Sequence, residues 1–416
     1  MSGADLLSGL DSAPEPVDFQ PSRAAGLVRL DQFVSRTGRH YAGQRNYDFG
    51  PEQRTNVSAL SPWLRHRLIT EEEVLRATLA RNTPTAAEKF IQEVFWRTYF
   101  KGWLENRPSV WTAYLDGVDQ AVEQLERDHA LAIDYEDAIA GRIGIEGFDQ
   151  WAQELVAKGY LHNHARMWFA SIWVFTLRLP WELGADFFLR HLLDGDPASN
   201  TLGWRWVAGL HTKGKAYQAR ASNIAKYTEG RFRPEHQLVN TIVPLSETVE
   251  HLRQPLASAD PVPEGDVLLL VTEEDCFAEM LLPQPPVGVL GVVATEGRSP
   301  LAVSPRVTSF ARGAVADAVA RAAPIGEPTV SAHDWATTII AAAEHAKTRT
   351  VVTGYTPVGP VASRLAQVRG ELEAAGLMLH QIRRPYDDLA WPHASKGFFA
   401  LKKQIPRLLA DLGLSA

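Results

Sequence analysis

Apolar residues along this chain follow two rhythms, and the change between them falls near residue 243. From about 26 to 242 they recur at three- and four-residue spacing. Glu71 to Leu79 opens on acidic residues and then carries Val74, Leu75 and Leu79, while Ala87 to Leu104 runs through Phe90, Ile91, Val94, Phe95 and Phe100. Phe148 to Val156, Met167 to Leu179 and Phe187 to Leu193 repeat the theme. One face of an α-helix has that period, and no strand-like alternation interrupts it, so the pattern predicts an all-α domain over 26–242. Residues 243–265 break the rhythm with Pro244, Pro255, Pro261 and Pro263 among Ser, Asp and Glu, and read as a linker. Beyond it, short apolar runs at 267–271, 289–293 and 350–354 alternate with helical stretches at 311–322, 334–347 and 359–375. Buried parallel strands joined by crossover helices produce that alternation, so 266–416 is expected to be a smaller α/β, Rossmann-like domain. Residues 1–25, dominated by Ser, Gly, Asp and Pro without an apolar period, read as a flexible lead. The expected fold class is multi-domain, an all-α domain followed by an α/β domain.

Composition narrows the function. With 416 residues, 22% charged and 45% hydrophobic, the chain reads as a soluble globular protein, and disorder throughout is excluded. Lys+Arg 42 against Asp+Glu 49 gives a net charge of −7, which argues against a uniformly basic nucleic-acid binder and confines any DNA contact to a local face. The single cysteine, Cys276, cannot form an internal disulfide, a CxxC pair or a four-cysteine iron–sulfur site, which points to a reducing compartment. No window approaches the roughly 18–20 apolar residues of a membrane span, and residues 1–20 lack a basic start and an apolar core, so the expected location is cytoplasmic. The 12 Trp outnumber both Met (4) and Tyr (10), which directs attention to stacking or redox work.

Five local patterns carry candidate chemistry. Tyr41-x-x-x-Arg45 precedes SALSPWL at 58–64, whose Ser-x-x-Ser-Pro also suits a helix N-cap. EVFWRTYF at 93–100 puts Glu93 and Trp96 on one helix face with Arg97 beside them, an arrangement that a core indole with a surface ion pair would also give. GYLHNHARMWFAS at 159–171 sets His162, Asn163, His164 and Arg166 inside an apolar helical stretch, where buried polar groups need partners. A metal on the two histidines lacks a third ligand at suitable spacing. LLDGDPASNTLGWRW at 192–206 contains a turn-forming Asp-Gly-Asp-Pro followed by a Trp-x-Trp pair. The fifth pattern is the indole series itself.

In their order and spacing these patterns resemble the FAD-binding domain of the DNA photolyase/cryptochrome family, from Tyr41 through Tyr217. The resemblance implies that Tyr41, Arg45, Ser58, Leu60, Ser61, Arg97, Arg166, Asp194, Asp196 and Asn200 hold FAD. Ser58 and Ser61 match the serines that cup its pyrophosphate, Val57 standing where the family has threonine. Asp194, paired with Arg166, and Asp196 would face the flavin ring edge, and Asn200 would lie opposite flavin N5. Glu93, Trp96, Asn163, Met167 and Trp206 match the pocket for a damaged pyrimidine pair, with Trp96 and Trp206 stacking on it. His164 stands at a usual arginine. Trp204 and Trp181 match the inner two members of the electron-transfer chain to the flavin, and the outer tryptophan has no aligned counterpart, leaving Tyr135 or Trp173 as substitutes. After Trp206 the match weakens, the family's Tyr-Phe-Arg-Ile-Phe-Asn-Pro being YQARASN at 217–223.

The activity implied is light-driven repair of cyclobutane pyrimidine dimers in DNA by electron transfer from excited reduced FAD, a deoxyribodipyrimidine photolyase. The alternative is a cryptochrome-like blue-light sensor that binds FAD and signals through a partner. Residues 201–240 hold seven Lys/Arg, namely Arg205, Lys213, Lys215, Arg220, Lys226, Arg231 and Arg233, against two glutamates, so Lys213, Lys215, Arg220 and Lys226 are candidate phosphate contacts. The expected partner is dimer-containing DNA, without a membrane, and the chain is expected to act as a monomer. In most family members an α/β antenna domain precedes the FAD domain. Here the α/β segment follows it, which suggests an exchanged order and leaves room for a second chromophore, folate or deazaflavin, that no residue identifies. Its glycines make no G-x-G-x-x-G fingerprint, so no dinucleotide site is expected there.

Overall fold

The computed structural model describes residues 17–322, 330–331 and 333–414. Its first part is helical: α1 (Arg23–Val34), α2 (Arg39–Gln44), α3 (Ser61–Arg65), α4 (Glu71–Arg81), α5 (Glu88–Glu105), α6 (Ser109–Arg127), α7 (His129–Ala140), α8 (Phe148–Lys158), α9 (Asn163–Ser171), α10 (Trp181–His191), α11 (Pro197–Ala208) and α12 (Ala221–Tyr227). Caps set several of these boundaries. Thr70 and Glu73 form a capping box at the start of α4, and Asp196 accepts from the Ser199 N–H at the start of α11. A π-helical turn, Ile172–Thr176, continues α9, and Leu179 to Pro180 then lead into α10.

The second part carries β1 (Leu268–Thr272), β2 (Gly288–Val292), β3 (Val330–Ser331), β4 (Thr350–Gly354) and β5 (Met378–Ile382), with α13 (Pro305–Ala322), α14 (Trp335–His345) and α15 (Pro360–Ala374) between strands. After them come α16 (Pro385–Ala390), α17 (Phe398–Lys402) and α18 (Ile405–Asp411). Every pairing is parallel, in the order β3-β2-β1-β4-β5. Successive residues of β1 face opposite sides of the sheet. Leu268 and Leu270 pack with Trp335 and Ile339 of α14, while Leu269 and Val271 enter a core that also contains Phe33, Leu64, Val74 and Phe95 of the helical part. The sheet and the helices therefore share a hydrophobic core.

Residues 1–16 of the expected lead lie outside the described residues. The rest is not loose: Val17 and Phe19 pack on the core, the Gln20 carbonyl accepts from the Trp63 indole at 2.9 Å, and α1 begins at Arg23. Residues 243–265 have no helix or strand but are tied down on both sides. Leu245 N–H donates to the Ala208 carbonyl, Gln254 N–H to that of Asn106, and Asp260 N–H to that of Gln381.

Candidate flavin and lesion site

Helix α5 organises the site because its 3.6-residue period sends different side chains to different neighbours. Glu93, Arg97 and Lys101, each four apart, form one stripe. Glu93 meets Arg45, at the end of α2, at 3.5 Å. Burial raises the Glu93 pKa against the opposing pull of Arg45, although solvent still reaches 39% of the side chain and limits that shift. Arg97 and Lys101 approach the Asp196 carboxylate at 3.7 and 3.5 Å, and Arg65 approaches it at 4.0 Å. These cations overcome the opposing effect of burial and hold Asp196 ionised, well below the usual carboxylate range.

The two aspartates expected at the flavin edge are both buried. Arg166 on α9 donates to Asp194 at 2.9 Å and to the Leu161 carbonyl at 3.0 Å. Asn200, on the first turns of α11, donates its amide to the Ala185 carbonyl at 2.8 Å. Ala59 has a positive φ of 52°, and Arg29 donates to the Ser58 carbonyl at 2.8 Å and to that of Val57 at 3.2 Å, fixing the turn that leads through buried Leu60 to Ser61 at the start of α3. Tyr41 is buried edge-on to Phe33 and Phe90. Several buried polar atoms around this set have no hydrogen-bond partner among the described residues: Arg97 Nε and Nη2, Asp194 Oδ1, Asp196 Oδ2 and Ser199 Oγ. Such atoms are costly unless something else satisfies them, and a flavin dinucleotide carries matching donors, acceptors and phosphates, so the residues fit FAD.

The expected lesion residues are less uniformly arranged. Asn163 is exposed at the first position of α9, with half-buried Met167 one turn on. Trp206 stacks on Tyr217 at 5.6 Å. Trp96 is covered on one face by Phe398 of α17, with ring centroids 3.7 Å apart and planes 11° from parallel. His162 and His164 are bound to backbone, Nε2 of the first to the Arg45 carbonyl at 3.0 Å and Nδ1 of the second to the Asn46 carbonyl at 2.9 Å.

Trp204 is buried against Phe188 at 5.1 Å and Trp173 at 6.2 Å, and Trp173 in turn meets Tyr135 at 6.1 Å. Gly184 makes this approach feasible, because a Cβ there would lie 2.4 Å from the Trp204 ring. Trp181 instead packs on Tyr114 at 5.8 Å, with the Arg205 guanidinium 5.9 Å from its ring centroid. The continuous run of ring contacts from Trp204 is thus through Trp173 and Tyr135.

Lys213, Lys215, Arg220 and Lys226 are exposed, and no ion pair holds any of them among the described residues. Two other cations of that stretch must be withdrawn from the basic face. Arg205 is buried and paired with Glu247, and Arg231 is paired with Asp48 at 3.0 Å.

The sequence reading missed Arg65, Lys101 and Glu274 at the site. Lys101 had a local signal, lying one turn beyond Arg97. Glu274 had none, its partner Arg65 being far away in the chain. In open parallel sheets, ligands bind beyond the carboxyl ends of the strands where the order reverses, here between β1 and β4. That crevice is filled by the helical part: Glu105 of α5 accepts from the Tyr355 hydroxyl and the Val358 N–H, both at 2.6 Å, and Arg65 and Arg67 bind the acids that follow β1.

A family model described as the FAD binding domain of DNA photolyase matches residues 90–261. The deoxyribodipyrimidine photo-lyase of Alkalihalophilus pseudofirmus is 28% identical over 195 residues, covering 46% of this chain and 38% of that protein. The same enzyme of Thermus thermophilus is 32% identical over 205 residues, covering 48% and 45%. A class III photolyase structure from Agrobacterium tumefaciens has a TM-score of 0.40 at 23% identity, covering 55% of this chain and 46% of that one. The chain spans less than half the length of these relatives. No helix among the described residues is long and apolar enough to cross a membrane. Residues 90–261 thus match the FAD-binding domain of DNA photolyase, the chain is similar over about half its length to photolyases, and FAD is the cofactor that its helical polar set fits.

Proposed function

We propose that this chain repairs cyclobutane pyrimidine dimers in DNA under blue light. The observation that carries the reading is the division of labour on α5. One helix presents Glu93 and Trp96, the residues matched to the lesion, and within the next two turns Arg97 and Lys101, which face the carboxylate matched to the flavin edge. Lesion and cofactor would then be held by a single rigid element, which is what a short, fixed electron path needs. FAD, when bound in its reduced form, supplies on excitation the single electron that opens the cyclobutane ring and receives it back.

The protein's own residues do the rest. A dimer leaves the stack more easily than an intact pair, and an aromatic face repays each base by roughly 1–3 kcal/mol. Trp206 and the uncovered face of Trp96 are the stacking surfaces. Glu93, oriented by Arg45 at 3.5 Å, can hydrogen-bond the damaged pyrimidine pair, and Asn163 offers a neutral amide at the start of α9. Lys213, Lys215, Arg220 and Lys226 are free to meet phosphates. Trp204, Trp173 and Tyr135 form a run of ring contacts along which an electron can pass toward the flavin.

The test is direct: reduce the FAD-loaded protein, add an oligonucleotide containing a thymine dimer, illuminate with blue light and follow thymine absorbance. Absorbance returns if the reading holds. Glu93→Ala, losing its hydrogen bond to the lesion, slows recovery roughly tenfold while leaving flavin bound. No recovery from the fully reduced wild-type protein sinks the repair reading. A sensor that binds FAD without repairing DNA is favoured by one observation, the Phe398 ring lying on Trp96, and that assay separates the two.

A further inference from the structure

A buried charge cluster joins the sheet to the flavin site. Asp196 Oδ2 faces Lys101 Nζ at 3.5 Å, Arg97 Nη2 at 3.7 Å and Arg65 Nε at 4.0 Å. Three cations around one carboxylate would leave a large uncompensated charge in a region closed to water. The second anion comes from the other half of the chain. Glu274, two residues beyond β1, accepts both arms of the Arg65 fork at 2.6 and 2.9 Å and lies 3.6 Å from Lys101 Nζ. Arg65 and Lys101 therefore each touch both carboxylates, and Arg65 Nε also donates to the Gly195 carbonyl at 3.0 Å, immediately before Asp196.

The neighbouring acids do not share this role. Glu273 accepts from Ala294 N–H and Thr295 Oγ1, both at 2.7 Å, with Arg298 within its electrostatic reach, and Asp275 binds Arg384 at 2.7 Å and Arg67 at 3.7 Å. Burial pushes the Glu274 pKa up, but Arg65 and Lys101 outweigh it, so Glu274 is ionised.

We propose that Glu274 is a positioning residue for the flavin: by holding Arg65 and Lys101 it fixes Asp196 and limits the positive charge at the ring edge, which gives the α/β half a hand in the flavin's redox balance. This rests on the reading that Asp196 faces the flavin. Reduced flavin carries more negative charge than oxidised flavin, so a more positive cluster favours reduction. Removing the Glu274 charge makes the cluster more positive and shifts the balance that way.

The experiment is an anaerobic redox titration of the FAD-loaded full chain, read by flavin absorbance, comparing wild type with Glu274→Gln and Glu274→Asp. At the wild-type midpoint, E274Q is expected to lower the oxidised-to-reduced ratio by about tenfold, the scale of one unit charge acting at about 10 Å through an effective dielectric of about 20. E274D, which keeps the charge, stays close to wild type. Should E274Q be insoluble, Lys101→Met and the double variant K101M/E274Q report the same difference, since the double variant exchanges a buried pair together. An E274Q ratio equal to wild type overturns the proposal, as does a folded E274Q that merely releases FAD. A wild-type chain that stays colourless after reconstitution instead overturns the flavin reading itself.

Discussion

His211 stands among Trp103, Phe100 and Tyr99, whose hydroxyl meets its Nε2 at 3.0 Å. Burial, reinforced by Arg205 and Arg107, lowers its pKa from 6.5 to about 4, so it is neutral in the folded protein at neutral pH. Because the folded value is the lower one, the unfolded chain binds more protons between about pH 6.5 and 4, and stability is lost as pH falls through that window. The maximal slope from one such group is about 1.4 kcal/mol per pH unit. Urea unfolding at pH 7, 5.5 and 4.5 should show His211→Gln losing less stability on acidification than wild type by up to that slope; parallel curves would refute the assignment. At this scale much was legible. Asp194 with Arg166 is the pair read from the motifs. The pairing of Glu93 with Arg45 was not, since no helical spacing connects residues on α2 and α5.

Short elements decide what the site exposes. Helix α17, Phe398–Lys402, lies against α5, with Phe398 on Trp96 and the Lys402 ammonium 3.1 Å from Glu88. Phe398 is 4% exposed, so Phe398→Ala costs roughly 3–5 kcal/mol of stability, and it also frees a full indole face. If that face receives a base, a dimer-containing oligonucleotide binds about tenfold more tightly to the variant at fixed salt, as fluorescence anisotropy would register. Unaltered affinity would mean that bases stack only on the other face. Long amphipathic helices such as α5 and α8 were readable because their apolar period runs for several turns. Strand β5 was not, because Met378–Ile382 is half-exposed along most of its length and lacks an apolar run. The π-helical turn after α9 likewise leaves no mark in the spacing of its apolar residues.

The molecule behaves as a single packing unit across the linker. Leu269 and Val271 of the sheet and Tyr386, Ala390, Phe398 and Leu401 of the last helices complete the core around α5. Arg67 bridges the halves again, 2.6 Å from Asp387. A fragment limited to residues 17–262 would expose this surface and strand Arg65, Arg67 and Lys101 without Glu274, Asp275 and Asp387. It is expected to be insoluble or to unfold without a cooperative transition, and a soluble, yellow fragment with a sharp thermal melt would contradict the shared core. The sequence by itself determined the two hydrophobic rhythms and the local spacings, Glu93 to Trp96 and Asp194 to Asn200, because helix pitch and turn geometry act over a few residues. Only the tertiary structure decided that Glu274 neutralises Arg65, that Phe398 covers Trp96 and that Trp173 rather than Trp181 adjoins Trp204. Those partners meet through the packing of whole elements, which no local window of residues records.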